Sequence, residues 1–290
     1  MFGIILIWKD AGRTSHDVVD VVRRRFGTRR VGHAGTLDPL ATGLLVVAVG
    51  PATRFLQYLP LEPKEYVAHI TFGKATSTYD LEGETIQESA LPDDLEKAIL
   101  DALPQFKGLI SQLPPMYSAV KIGGKPLYQY ARQGKEIERE PRNVHIDAFE
   151  FKMLSEDTIE ARIVCSGGTY IRSLAHDLGQ AMGCGAHLSK LHRAKVGRFT
   201  IEQATPLDEA APKHLLTLKE ALLPMPLVPL TETQVHHIRE GRQIGLMDMP
   251  GSALVGLLDV NGEVFSVARV QGDLLQPECV IPNEAFHGVS

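Results

Sequence analysis

Short apolar runs alternate with amphipathic stretches along this chain, the pattern of an α+β protein. Residues 2–8 form an apolar strand, and the turn at residues 9–13 leads to a helix predicted to start at Thr14, whose hydroxyl can cap it with Asp17 three residues on. Val18, Val22 and Phe26 give that helix a buried stripe, Arg23, Arg24 and Arg25 lie largely outside it, and Gly27 can close it. Residues 44–49 are a continuous apolar run with the β-branched content of a buried strand, and residues 52–59 read as a short helix stopped at Pro60. Residues 65–73 alternate, placing Tyr66, Ala68, Ile70 and Phe72 on one face of a strand. An acidic amphipathic helix follows at 93–103, with Leu95, Ile99 and Leu103 inward. Residues 144–154 and 159–165 predict an antiparallel pair, which runs into a helix with Ile171, Leu174, Leu178 and Met182 as its core stripe.

Residues 206–229 are proline-spotted, with one short helix at 213–222, and the domain boundary is placed near their end. A new pattern begins at Thr231, which forms a capping box with Gln234 and starts a helix to Glu240. Strands at 254–258 and 263–270 are joined by Asp259-Val260-Asn261-Gly262, whose Asn-Gly signals a hairpin. With 290 residues the chain exceeds the usual single-domain size, so a large domain at 1–225 and a small one at 226–290 are expected.

Composition adds the class and the compartment. Apolar residues make up 44% and charged residues 22%, which supports a large core and excludes disorder. Cys165, Cys184 and Cys279, odd in number and widely spread in a chain without a secretory leader, predict reduced thiols in a cytoplasmic protein. No apolar run reaches membrane-spanning length. The net charge of −5 argues against a nucleic-acid partner only on average. Arg23, Arg24, Arg25, Arg29 and Arg30 form one positive cluster, and Lys190, Arg193, Lys195 and Arg198 another. Eight acids between Asp80 and Asp101, against Lys97 alone, form a negative stretch, and this asymmetry suits a molecule with one phosphate-facing side.

Candidate chemistry concentrates in the turn-rich loop at 30–43, which fixes one carboxylate, Asp38, at the mouth of a core strand. Asp-Pro in a turn has a plain structural reading as well, with the aspartate accepting backbone N–H bonds. Tyr66 reads by itself as a core aromatic at a strand end. Arg172 lies in the first turn of a helix, off its apolar stripe, where a cation is disfavoured unless something negative is beside it. Residues 113–134 combine prolines, glycines, aromatics and cations in the manner of a lid over nucleic acid, and the Gly123-Gly124-Lys125 within them lacks the rest of a phosphate loop. Cys184, His187 and His192 do not have zinc-ligand spacing.

The whole string Arg-Val-Gly-His-Ala-Gly-Thr-Leu-Asp-Pro-Leu-Ala-Thr-Gly at 30–43 resembles the signature of the TruB family of pseudouridine synthases. Lys9 with Gly12-x-Thr14-Ser15, Lys64-x-Tyr66, the polar turn at 76–83, the segment 113–134, Gly168-Thr169-Tyr170-Ile171-Arg172 and residues 186–193 extend the resemblance from residue 1 to about 205. Asp10 stands where the family usually has proline, which suggests a looser first turn, and the turn at 76–83 receives no chemical role. The resemblance implies a pseudouridine-synthase-like mixed, mainly antiparallel sheet flanked by helices. It also implies a thumb-like insertion at about 113–143 and a small, β-rich, PUA-like RNA-binding domain at the C-terminus. The implied reaction is isomerisation of uridine to pseudouridine at position 55 in the tRNA T loop, by a cytoplasmic monomer without metal, cofactor or protein partner.

By the same resemblance Asp38 is the nucleophile, Tyr66 stacks on the target base, and Arg172 pairs with Asp38, which supplies the missing anion. Leu191 packs against the flipped base, and His33 inserts into the T loop in its place. Lys9, Arg54, Tyr170, Lys121, Lys125 and Arg132 are expected to contact RNA. Attack on the ribose C1′ and abstraction of a ribose proton remain open alternatives for Asp38. Two other classes compete: a noncatalytic RNA-binding or tRNA-folding protein on the same scaffold, and a retaining glycoside hydrolase. The latter needs a second carboxylic acid, for which no motif is evident.

Overall fold

The computed structural model describes residues 1–118, 120–246, 248 and 251–283; Ala119 in the expected thumb and residues 284–290 in the expected C-terminal domain lie outside them. In chain order the first half contains β1 (Gly3–Lys9), α1 (Ser15–Arg25), β2 (Val31–Ala34), β3 (Thr42–Val49), β4 (Lys64–Phe72), β5 (Lys74–Thr76), β6 (Thr85–Glu88), α2 (Leu95–Ala102) and β7 (Gly108–Gln112). It continues with β8 (Lys121–Ile122), β9 (Lys125–Pro126), α3 (Leu127–Ala131), β10 (Arg142–Met153), β11 (Thr158–Cys165), α4 (Ile171–Ala181) and β12 (Ala186–Val196). The rest comprises β13 (Phe199–Thr200), β14 (Thr205–Pro206), α5 (Leu218–Leu222), β15 (Leu227–Pro229), α6 (Glu232–Arg239), β16 (Ile244–Gly245), β17 (Leu254–Leu258), β18 (Val264–Gln271) and β19 (Leu274–Val280). These form two compact units: Met1–Pro39, Gly43–Leu61 and the chain from Arg198 in one, Leu40–Thr42 and Glu62–Gly197 in the other.

In the first unit β1 runs antiparallel to β3, β2 pairs with the far end of β3, and β14 lies parallel to β1. Helix α1 starts as its sequence dictates, with the Thr14 side chain and the Asp17 carboxylate closing a capping box. Its Val18, Val19 and Val22 join Ile5, Ile7, Leu45, Val47 and Leu207 in one buried cluster. Two helices differ from expectation. The segment after Val49 is a 3₁₀ helix, Gly50–Tyr58, with proline at its start. The helix expected at 213–222 is broken into a 3₁₀ turn, Pro212–His214, and the short α5. The break has a tertiary cause: Leu216 leaves the helix to exchange backbone hydrogen bonds with Ile4 of β1, at 3.0 and 2.7 Å. Further on, α6 carries the expected Thr231–Gln234 box. β17 and β18 form the expected hairpin, and β15, β19 and β16 complete a five-stranded sheet over Val235, Ile238, Leu257, Phe265 and Leu275.

The second unit is an antiparallel sheet in the order β12-β4-β11-β10-β7. The alternation of β4 is realised: Tyr66, Ala68, Ile70 and Phe72 are all buried. Helix α4 approaches β12 so closely at Gly179 that a Cβ there would stand 2.1 Å from the Ala186 nitrogen, so no other residue fits.

Candidate active site

The Asp38 loop joins β2 to β3, and its main chain is tethered on both sides of the aspartate. The Ser15 hydroxyl donates to the Leu37 carbonyl at 3.1 Å and accepts from the Leu37 N–H at 2.9 Å. On the other side, the Pro39 carbonyl accepts from the Gly12 N–H at 2.8 Å and from the Lys9 ammonium at 3.3 Å. Leu37 is buried beneath the loop, Asp38 is half-buried, and Gly35 and Gly43 take the positive φ values (77° and 111°) that let the chain turn in and out. Lys9, expected at an RNA-facing surface, is instead fully buried with its ammonium on the Asp10 and Pro39 carbonyls. It needs that position because a buried ammonium must have its donors satisfied, and those carbonyls are what the first turn and the Asp38 loop offer. In the first turn the Asp10 carboxylate accepts from the Trp8 indole at 3.0 Å.

Arg172 is not a surface cation at the start of α4 but a buried one, 4% exposed. Its Nη1 donates to the Thr78 carbonyl at 3.1 Å and to the Asp80 carboxylate at 3.3 Å, and its Nη2 donates to the Tyr117 carbonyl at 2.8 Å. Asp80 is itself buried, accepting also from the Thr78 hydroxyl and the Glu82 N–H. A buried arginine–carboxylate pair of this kind is costly to break, because removing either partner strands the other's charge. Asp80 is therefore a partner of the candidate site residue Arg172 that the motif reading missed. The signal was present in the demand of a cation at a helix N-terminus for an anion, but the partner lies 92 residues away in sequence.

Tyr66 and Leu191 come together on neighbouring strands. Leu191 is paired with Ala68, two residues along β4 from Tyr66, so the two are diagonal neighbours on one face, and both are buried. Tyr66 is itself paired across β4 and β12 with Arg193, a fully buried cation absent from the expected site residues. Tyr170 caps α4, and its peptide is gripped at both ends by the Gln112 amide, at 2.7 and 3.0 Å. His33 is half-buried on β2, paired with Val47. Lys121 and Lys125 are exposed on the small β8–β9 hairpin, and the exposed Arg132 lies over the Tyr128 ring at 5.4 Å. Arg54 belongs to a different neighbourhood, donating to the Val280 carbonyl of β19 at 2.8 Å.

The other reactive side chains have ordinary structural roles. His192 shares a 2.9 Å hydrogen bond with Thr42, and His187 meets the Lys74 carbonyl at 3.0 Å. Among the described residues no group of three or more histidine, cysteine or acidic side chains is arranged to hold a metal. All three cysteines are buried free thiols, and burial pushes Cys165 up to about 11, far from a thiolate nucleophile at neutral pH. No helix among the described residues is long and apolar enough to cross a membrane.

Residues 23–171 match the family described as TruB family pseudouridylate synthase (N terminal domain), and residues 172–228 match the tRNA pseudouridylate synthase B C-terminal domain. The tRNA pseudouridine synthase B of Mycobacterium bovis is 41% identical over 98% of this chain and 97% of its own length. That of Thermobifida fusca is 42% identical over 96% and 98%. Among solved structures, a chain in the crystal structure of a Cbf5-Nop10-Gar1 complex superposes with a TM-score of 0.71 at 25% identity, over 100% of this chain and 88% of that one. The chain belongs to the TruB family of pseudouridylate synthases.

Proposed function

We propose that this protein isomerises uridine to pseudouridine at position 55 in the T loop of tRNA, with Asp38 as the residue that opens the glycosidic bond. The observation that carries this reading is the tethering of the loop on both sides of Asp38 by Ser15, Lys9 and Gly12, which presents one carboxylate in a fixed place, as transition-state chemistry demands. The target base lies inside a folded loop and must be flipped out at a cost of a few kcal/mol. His33 takes its place, and Tyr66 and Leu191 hold the extruded base.

In the nucleophilic version an Asp38 oxygen bonds to C1′ as the C1′–N1 bond breaks, its electron pair leaving with the uracil. The base turns, C5 attacks C1′ and displaces the carboxylate, C5 loses its proton and N1 gains one. In the alternative version the carboxylate abstracts the ribose C2′ proton as the C1′–N1 pair leaves with the uracil, giving a glycal. C5 then bonds to C1′, C2′ regains its proton, and the C5 proton is lost as N1 gains one, with Tyr66 available to handle protons. No atom is gained or lost in either, so no co-reactant is needed. Arg172 favours the ionised carboxylate electrostatically and moves no proton. Lys121, Lys125 and Arg132 hold phosphates from the thumb-like insertion at about 113–143, Tyr170 and Arg54 add further RNA contacts, and residues 226–290 act as a small RNA-binding domain. The protein works as a cytoplasmic monomer.

The decisive assay is pseudouridine formation in an unmodified T-arm hairpin by the intact protein and by Asp38→Asn. Product from the intact protein alone is expected. Salt-sensitive RNA binding without product from either would favour the noncatalytic RNA-binding reading.

A further inference from the structure

The turn that holds Arg172 contains an anomaly. Tyr79 sits between the two groups, the Thr78 carbonyl and the Asp80 carboxylate, that share Arg172 Nη1. It is also the one residue other than glycine with a positive φ, 65°, among the described residues. An L side chain is disfavoured in that conformation, so its surroundings must hold it there. The holding contact is visible: the Tyr79 ring stacks on His176, with centroids 3.8 Å apart and planes 15° from parallel. His176 follows Arg172 by four residues on α4, one turn along the same face. Burial lowers the pKa of His176, so the stacked imidazole is neutral at pH 7 and the contact is ring on ring.

We propose that Tyr79 and His176 are positioning residues for Arg172, a ring-on-ring staple that fastens the Thr78–Asp80 turn to α4. If Tyr79 relaxed to negative φ, the peptide between its neighbours would rotate, and the Thr78 carbonyl and Asp80 carboxylate would no longer converge on one guanidinium nitrogen. The rest of the turn supports the same geometry. The Tyr79 N–H reaches the Thr76 carbonyl at 3.1 Å, the Tyr79 carbonyl accepts from Leu188 N–H at 3.0 Å, and the Thr76 hydroxyl donates to the Asp80 carbonyl at 2.6 Å. With its third acceptor on Tyr117, the guanidinium is held from two sides, and an arginine with four free torsions becomes a fixed charge.

This inference rests on the proposed catalytic role of Arg172, and the experiment separates the two. Turnover of a T-arm hairpin is measured for Tyr79→Ala, Tyr79→Gly, His176→Ala, His176→Phe and Arg172→Lys, with KM, RNA affinity and thermal midpoint followed in parallel. Loss of the staple is expected to lower kcat by about 10- to 100-fold in Tyr79→Ala and His176→Ala, with KM and RNA affinity within about twofold, whereas Tyr79→Gly, which takes the positive φ without a side-chain penalty, is expected to lose less than Tyr79→Ala. His176→Phe, which keeps a flat ring, is expected to restore most of kcat. Normal kcat in Tyr79→Ala or His176→Ala, alongside a crippled Arg172→Lys, overturns the staple and leaves the role of Arg172 intact. Failure of His176→Phe to restore kcat, or equal losses of kcat and RNA affinity in the staple variants, also overturns it. Full activity in Arg172→Lys overturns the reading on which the proposal stands.

Discussion

The loop around Asp38 is fixed through its main chain, by Ser15 on the Leu37 peptide and by Gly12 and Lys9 on the Pro39 carbonyl. The turn around Asp80, besides its main-chain bonds and the Tyr79–His176 stack, is fixed through the aspartate itself, whose oxygens accept from Thr78, Glu82 and Arg172. The contrast separates two uses of the same residue type. Where tethers act on the peptides either side, the acid can be exchanged without dismantling its loop. Where the carboxylate is itself the tether, chemistry and architecture cannot be separated.

Four variants sharpen or break that contrast. Asp38→Asn is expected to lower the rate of pseudouridine formation by at least about 10³-fold, with a thermal midpoint within about 2 °C of the parent. A large loss of midpoint would mean that Asp38, too, is structural. Asp80→Ala is expected to destabilise the fold by about 3 kcal/mol in urea titration, since it strands a buried guanidinium. A cost under about 1 kcal/mol would show that water or another carbonyl replaces the carboxylate. Ser15→Ala leaves both Leu37 backbone groups without their hydroxyl partner and is expected to cost about 1–2 kcal/mol, with a drop in kcat as the loop loosens.

The smallest effect concerns Asp177, whose carboxyl burial alone raises from the ordinary 3.8 to about 6. Because the folded chain then holds its proton more tightly than the unfolded one, this group makes stability fall as pH rises from about 4 to 6, with the full penalty present above that. Asp177→Asn should remove that slope and add about 1 kcal/mol at pH 7, the full shift being discounted for partial exposure. Parallel denaturation of both proteins at pH 4.5 and 7 reads the difference, and equal stabilities at both values would disprove the buried charge.

What the sequence disclosed depended on how far apart the interacting residues lie. The capping box of Thr14 and Asp17, the buried alternation of Tyr66 to Phe72 and the 254–270 hairpin are local, set by neighbours within a few positions, and were legible. The broken helix at 213–222 was not, because the winning partner of Leu216 is Ile4, at the other end of the chain. The burial of Lys9 and of Arg172 escaped for the same reason. A cation in a motif reads as a hand extended to phosphate until the carbonyls and carboxylate that enclose it are seen. Asp38 stood out only through the length of the string around it, since Asp-Pro in a turn is commonplace.

The three buried thiols have a practical consequence for following the protein at work. With Cys165, Cys184 and Cys279 enclosed and Cys165 held far above neutral pH in its acid form, the described surface offers no native cysteine to thiol-reactive dyes. A single exposed position on α3, directly after the β8–β9 hairpin, as in Gln129→Cys, would then carry one fluorophore without first stripping the native sulfurs and without removing a cation assigned to RNA.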